Sequence, residues 1–150
     1  MPTPVIRQLK QFERPPDHAA VILDAPPGAS CAVVETLRGA DFALLVAEPT
    51  PFGLHDLKQM VRIVQEMNIP AGVVINREDG SYVPLAAFCA ESRLPVLLRI
   101  PFDRRIAAGL AQGKTLLEID AQYVGILRRL FDLVQALMNE KYETTGYSQR

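Results

Sequence analysis

The sequence predicts an α/β protein, three-layered, with a mainly parallel sheet and flanking helices. Two observations carry that expectation. Apolar, β-rich runs at 19–23, 42–47, 71–75 and 95–100 are nearly continuous rather than alternating. Strands buried on both faces read this way, and they belong to parallel sheets covered by helices. Helical spacing fills the gaps, and strand, helix, strand in succession means βαβ units with right-handed crossovers.

In chain order, Val21-Ile22-Leu23 is the first expected strand, buried on both faces and ending at Asp24. Residues 31–39 form a short helix closed by Gly39. Leu44-Leu45-Val46 marks a second doubly buried strand. After the Pro49-Thr50-Pro51 turn, Leu54, Leu57, Val61, Val64 and Met67 recur at the three-and-four spacing of a helix face. Val73-Val74-Ile75 is the third strand, and Tyr82 to Ser92 a second crossover helix with Leu85, Phe88 and Cys89 on one face. The fourth strand, 95–100, leads into a helical stretch from Asp103 to Gln112. Ile119, Tyr123, Ile126, Leu130, Val134 and Leu137 line one stripe of a long final helix, read as a cover for the sheet, with partner docking as its alternative. Residues 1–140 are expected to form a single domain, and 141–150, which lose the pattern, a frayed tail.

Composition narrows the function. Basic and acidic side chains number 16 and 17, giving a net charge of -1, so no nucleic-acid footprint is expected. No apolar run reaches the roughly 18 residues of a membrane span, and the amino-terminal residues do not resemble a signal peptide. Cys31 and Cys89 are read as two reduced thiols of a cytoplasmic protein. No C-x-x-C is present, so no iron–sulfur cluster is expected in this chain. His18 and His55 lack metal-ligand spacing, and no nucleophile elbow supplies a Ser/His/Asp triad.

The motif with most chemistry is Asp24-Ala25-Pro26-Pro27-Gly28. An acid at the end of a buried strand either caps the next turn or directs a metal. In phosphoryl-transfer sites it holds Mg²⁺, which bridges the phosphates. Asn76-Arg77 closes the third run, where an asparagine offers donor and acceptor to a base edge or simply serves a turn. Pro101-Phe102-Asp103 follows the fourth run, with Asp103 also suited to cap a helix from Arg104. Glu48-Pro49-Thr50-Pro51-Phe52-Gly53 forms a stiff loop on the same edge, with Thr50 placed as a cap. Polar strand ends on one edge are the usual geometry of a ligand crevice. Gly113-Lys114-Thr115 is a decoy for a phosphate loop. Ala108 stands where G-x-x-x-x-G-K-[ST] needs glycine, the preceding residues look helical, and no convincing helix opens at Thr115. It is read as a glycine helix stop with a basic last turn.

Taken together, Val-Ile-Leu-Asp24-Ala-Pro-Pro-Gly, Glu48-Pro-Thr-Pro-Phe-Gly, Gly72-Val-Val-Ile-Asn76-Arg77 and Arg99-Ile-Pro-Phe-Asp103 resemble, in order and spacing, the carboxyl-terminal half of a MinD/ParA-type P-loop ATPase. The resemblance covers roughly residues 4 to 140 and is strongest to the branch named for cobyrinic acid a,c-diamide synthase or fused to a ferredoxin module. It implies that Asp24 is a Walker B-like acid acting on Mg²⁺, in the main through water. It implies that Asn76, with Arg77, reads the adenine edge of ATP or ADP, and that Pro101 and Asp103 flank base and ribose.

The family's glycine-rich, two-lysine phosphate loop has no match in these 150 residues. Without it, no catalytic residue is assigned and no hydrolysis by the chain alone is expected, because positioning and charge stabilisation make up most of phosphoryl-transfer catalysis. The resemblance therefore implies a nucleotide-binding domain that is regulatory, or is completed by a homodimer or by a phosphate-loop-bearing partner chain. The alternatives are a fragment of a full MinD-like ATPase and a ligand-free protein-interaction module.

Overall fold

The computed structural model describes residues 3–12 and 20–144. Helix α1 (Thr3–Phe12) is followed by α2 (Cys31–Leu37), strand β1 (Ala43–Ala47) and α3 (Pro51–Glu66). Then come β2 (Ala71–Glu78), α4 (Val83–Glu91) and β3 (Val96–Pro101). Helices α5 (Arg104–Ala111), α6 (Leu116–Ile119) and α7 (Gln122–Thr144) end the described chain. The three strands form one parallel sheet in the order β1-β2-β3. The architecture is the α/β arrangement with flanking helices that the apolar runs predicted.

Pattern and packing agree at the centre. Val73, Val74 and Ile75 of β2 are all buried, as a continuous apolar run in a central strand requires. One face of β1 and β2 (Ala43, Leu45, Ala47, Val73, Ile75) joins a single core cluster with Leu57, Val61 and Val64 of α3. Leu85 and Cys89 of α4, Leu94 after it, and Val33 and Leu37 of α2 complete that cluster. Each fully buried aliphatic side chain here stabilises the fold by about 1.5–3 kcal/mol. Tyr123 of α7 is buried too, and α7 contacts both α6 and β3.

Five expectations need correction. The run 19–23 is not a strand: Ala19 lies outside the described residues, and 20–26 have no regular structure and are exposed, Ile22 at 88%. Strand propensity alone forms no ladder; a strand needs an edge to pair with and cover for its faces. Strand β1 is likewise not doubly buried, since Leu44 (41%) and Val46 (64%) are exposed while Ala43, Leu45 and Ala47 are not. A helix does open after Thr115: the Thr115 hydroxyl accepts from the Glu118 amide and Glu118 reaches back to the Thr115 amide, a capping box on the four-residue α6. Gly113 (φ 78) stops α5 as expected, but Lys114 lies beyond the last turn rather than in it. Finally, Ile119, expected on the stripe of the last helix, ends α6 instead; α7 starts at Gln122 and runs to Thr144, four residues into the expected tail, and 145–150 lie outside the described residues.

Helix α1 has no counterpart among the expectations. It rests on α2 through charges. Arg7 Nε and Nη2 donate to Glu35 Oε1 and Oε2 at 2.7 and 3.2 Å. Lys10 Nζ donates to the carbonyls of Glu35, Thr36 and Arg38 at 2.9, 2.6 and 2.8 Å, placing a cation on the unpaired carbonyls that end α2. Glu35 is buried at 5% exposure, and its hydrogen bonds to Arg7 hold its carboxyl below the usual glutamate range. Val5 and Leu9 of α1 stay exposed.

Candidate functional site

Three strand ends meet at the carboxyl edge of the sheet. After β1, the chain turns through Glu48-Pro49-Thr50, and Thr50 Oγ1 accepts from the Gly53 amide at 3.0 Å, capping α3. Pro51 takes the first helical position, where its missing N–H costs nothing. Gly53 is required by contact: a Cβ there would collide with the Glu48 carbonyl oxygen, so its absence lets the loop fold back onto the helix.

The end of β2 is irregular. The ladder to β3 slips between Ile75 and Glu78, and Arg77 sits in the left-handed region with φ 57. Bulges of this kind re-aim side chains at sheet rims. Here the Asn76 Oδ1 accepts from the Arg77 amide at 3.0 Å, and the Arg77 Nη1 reaches Glu48 Oε1 at 3.3 Å. The Phe102 amide donates to the Glu78 carbonyl at 2.9 Å, fastening the end of β3 to β2, and the Glu78 carboxylate pairs with Arg99. Asp79 accepts from the Ser81 amide (2.9 Å) and hydroxyl (2.6 Å), which keep its carboxyl below the ordinary aspartate value.

These ends surround an open hollow of about 260 Å³ lined by Glu48, Pro49, Thr50, Arg77, Asp79 and Phe102. The position agrees with the rule that ligands of open α/β sheets bind outside the carboxyl ends of the strands. Its chemistry is mixed: one guanidinium, two carboxylates, a hydroxyl and an exposed aromatic ring.

Of the residues assigned to the nucleotide from the sequence, only Arg77 lines the hollow; Asn76, Pro101 and Asp103 are not among its lining residues. Arg77 lines the hollow with Asn76 beside it on the bulge, and Pro101 and Asp103 bracket Phe102. Asn76 keeps its two amide N–H donors beyond the bond its oxygen makes locally. Asp103 is the cap of α5, accepting from the Arg105 amide at 2.7 Å and pairing with its guanidinium at 2.6 Å, and that pairing holds its carboxyl below the ordinary value. Asp24 lies in the exposed segment before α2, outside the lining of the hollow. Sequence reasoning missed Asp79 and Phe102 as lining residues. Asp79-Gly80-Ser81 carried a signal, since an aspartate two residues before a serine favours the side-chain-closed turn found here.

No protein-family model matches the chain. Among solved structures, MinD of Pyrococcus furiosus, a cell division ATPase, superimposes with a TM-score of 0.65 at 22% identity, over 97% of this chain and 60% of that one. The septum site-determining protein MinD of Pyrococcus horikoshii, crystallised with Mg-ADP, gives 0.62 at 21%, over 96% and 56%. The fold is similar to that of MinD. Among curated proteins, the uncharacterized protein MJ0579 of Methanocaldococcus jannaschii is 31% identical over 114 residues, which is 76% of this chain and 39% of that one. The uncharacterized MJ0578 of the same organism is 22% identical over 130 residues, 85% and 44% of the two chains. The chain thus spans about two fifths of the length of these curated relatives.

The Mg-ADP of the second MinD raises the question of a metal here. Among the described residues no group of three His, Cys, Asp or Glu side chains could hold one. A single carboxylate such as Asp24 suits Mg²⁺ carried largely by water and phosphate oxygens; it does not suit an ion caged by protein alone. Cys31 is an exposed free thiol and Cys89 a buried one, whose pKa burial pushes up. His55 faces solvent on α3 beside Gln59, and His18 lies outside the described residues. Among the described residues, no helix is long and apolar enough to cross a membrane.

Proposed function

We propose that the chain is a nucleotide-binding domain of MinD/ParA type that keeps the adenine side of the site and takes its phosphate side from elsewhere. The observation that carries the reading is the hollow itself, framed by the carboxyl ends of β1, β2 and β3, in a fold similar to a MinD that was crystallised with Mg-ADP. In this reading Asn76 and Arg77 meet the base edge, and Pro101 and Asp103 flank base and ribose; Arg77 and Phe102 line the hollow, and Asn76, Pro101 and Asp103 are their neighbours in the chain. Asp24 serves Mg²⁺ through water, and what the ion adds when present is charge neutralisation at the phosphates. The motif order favours the cobyrinic acid a,c-diamide synthase or ferredoxin-fused branch.

The chain is not assigned hydrolysis by itself, because no glycine-rich lysine loop occurs in the sequence. Its role is regulatory or partner-completed, as a homodimer or with a phosphate-loop chain, in the cytoplasm. A second reading, a section of a full MinD-like ATPase, is favoured by the coverage of 60% and 56% of the two MinD chains.

The test is calorimetry of ATP and ADP binding with and without Mg²⁺. Magnesium-dependent binding that weakens in Asp24→Ala and Asn76→Ala supports the reading. An isolated chain that binds neither nucleotide at millimolar concentration sinks it for the chain alone.

A further inference from the structure

Three charged side chains line the hollow at the carboxyl edge of the sheet: Glu48, Arg77 and Asp79. Two of them are paired with each other, Arg77 Nη1 meeting Glu48 Oε1 at 3.3 Å. Asp79 forms no ion pair among the described residues. Its carboxylate is instead held in place by Ser81, whose amide and hydroxyl donate to Oδ1 at 2.9 and 2.6 Å. Gly80, with φ 77, lets the chain turn tightly enough for both bonds. An ionised carboxylate has about four lone-pair sites. Ser81 takes two of them, both on Oδ1, and neither on Oδ2.

The bonds from Ser81 keep the Asp79 carboxyl below the ordinary aspartate value, so it is ionised at neutral pH. In that state it accepts hydrogen bonds and never donates. A ligand beside it must therefore present an N–H or O–H group, or a cation. A metal caged by protein is the poorer fit, since among the described residues no group of three His, Cys, Asp or Glu side chains could hold one. The rest of the lining points to a flat ligand: the Pro49 ring and the ring of Phe102, which is 53% exposed. An open aromatic face stacks on a heterocycle. A stacking face beside an acceptor with lone pairs to offer is the complement of an aminated base.

We propose that Asp79 is the base-specificity residue of the hollow, its Oδ2 accepting from the exocyclic 6-amino group of an adenine stacked on Phe102. The proposal rests on the nucleotide reading above and adds to it the group that selects the base. Adenine carries an amino donor where guanine carries a carbonyl oxygen; hypoxanthine carries a carbonyl there too. Either 6-oxo base sets an acceptor against the carboxylate with no donor between them. A site built to bond a donor rejects the analogue that lacks it.

The experiment is calorimetry of ADP, IDP and GDP with the full chain and with Asp79→Asn. The asparagine oxygen can still accept from Ser81, while its NH2 replaces Oδ2, so one acceptor becomes a donor with little change of shape. The parent is expected to bind ADP about tenfold more tightly than IDP. Asp79→Asn should reverse that order, ADP losing affinity and IDP gaining it, at an unchanged melting temperature. An ADP-to-IDP ratio that Asp79→Asn leaves unaltered overturns the proposal, and so does tighter binding of GDP than of ADP by the parent. Equal losses for ADP and IDP with a lower melting temperature overturn it as well, and assign Asp79 to turn closure. In each of these cases nucleotide binding that weakens in Asn76→Ala leaves the nucleotide reading standing. Binding of none of the three at millimolar concentration overturns both.

Discussion

The Arg77 guanidinium meets the Glu48 carboxylate at 3.3 Å, tying the ends of β1 and β2 across the mouth of the hollow. Arg77 does so from a left-handed backbone, φ 57, a conformation costing a side-chain-bearing residue about 1–2 kcal/mol. An exposed ion pair returns about 0–1 kcal/mol. Arg77→Gly is therefore expected to leave the melting temperature unchanged or raise it, while Arg77→Val lowers it. Thermal melts by circular dichroism decide; a clear loss in the glycine variant would show that the ion pair outweighs the backbone strain.

Gly53→Ala forces a methyl group against the Glu48 backbone. Backbone yields less readily than a side-chain tip, so a destabilisation of about 1–3 kcal/mol is expected, as for overpacking elsewhere. Urea denaturation measures it, and a variant as stable as the parent would mean that the 48–50 loop moves freely.

Asn76→Ala removes two amide donors beside the hollow along with the local bond to the Arg77 amide. If a base edge is read there, affinity for ATP and ADP falls about tenfold, the worth of one or two hydrogen bonds. Unchanged affinity with unchanged stability assigns Asn76 to turn geometry alone.

The α1–α2 contact depends on an ionised Glu35, whose folded pKa is lowered by Arg7. A depressed carboxyl contributes stability above its unfolded value, near pH 4.3, and loses it as pH falls through the lower folded value. Amide exchange in α1 is expected to be insensitive to pH between 5 and 7, after correction for intrinsic rates, and to accelerate in the acid range. Glu35→Gln should show fast exchange at every pH. Equal protection of α1 in parent and variant at pH 6 would refute the charge latch.

Cys31 should react with a maleimide in the native protein and Cys89 only after unfolding, since Cys89 is buried in the core and its thiol pKa is raised. Labelling followed by peptide mapping reads this directly, and two fast thiols would contradict the packing of α4.

Legibility in the sequence followed the range of the forces involved. Leu57, Val61 and Val64 announced α3, and Val73-Val74-Ile75 announced β2, because periodicity and continuous burial are local signals that the core then rewarded. Val21-Ile22-Leu23 carried an equally strong local signal and failed, because pairing depends on an edge that the run itself does not contain. Leu44 and Val46 misled for the same reason. Helix α1 went unread although Val5, Leu9 and Phe12 recur at helical spacing; Val5 and Leu9 stay exposed, and Arg7 and Lys10 hold the helix instead. At the candidate site, the loops at 48–53, 76–77 and 101–103 were visible as strand-end punctuation. The part played by Asp79 went unread, although its closure by Ser81 is local and the spacing Asp79-Gly80-Ser81 signals it.

The sheet carries a slip and its correction. Between Val73 and Val74, β3 advances one residue too many; between Ile75 and Glu78, β2 does. Five residues then separate Val73 from Glu78, and five separate Val96 from Pro101, so the strands leave the irregular stretch in step. Because side chains alternate between faces, either slip alone inverts everything that follows it. Deleting one residue at the Asn76–Arg77 bulge would thus do more than shorten a loop. It would act as a frameshift written in space, turning the rim of β2 inside out while every residue kept its chemistry.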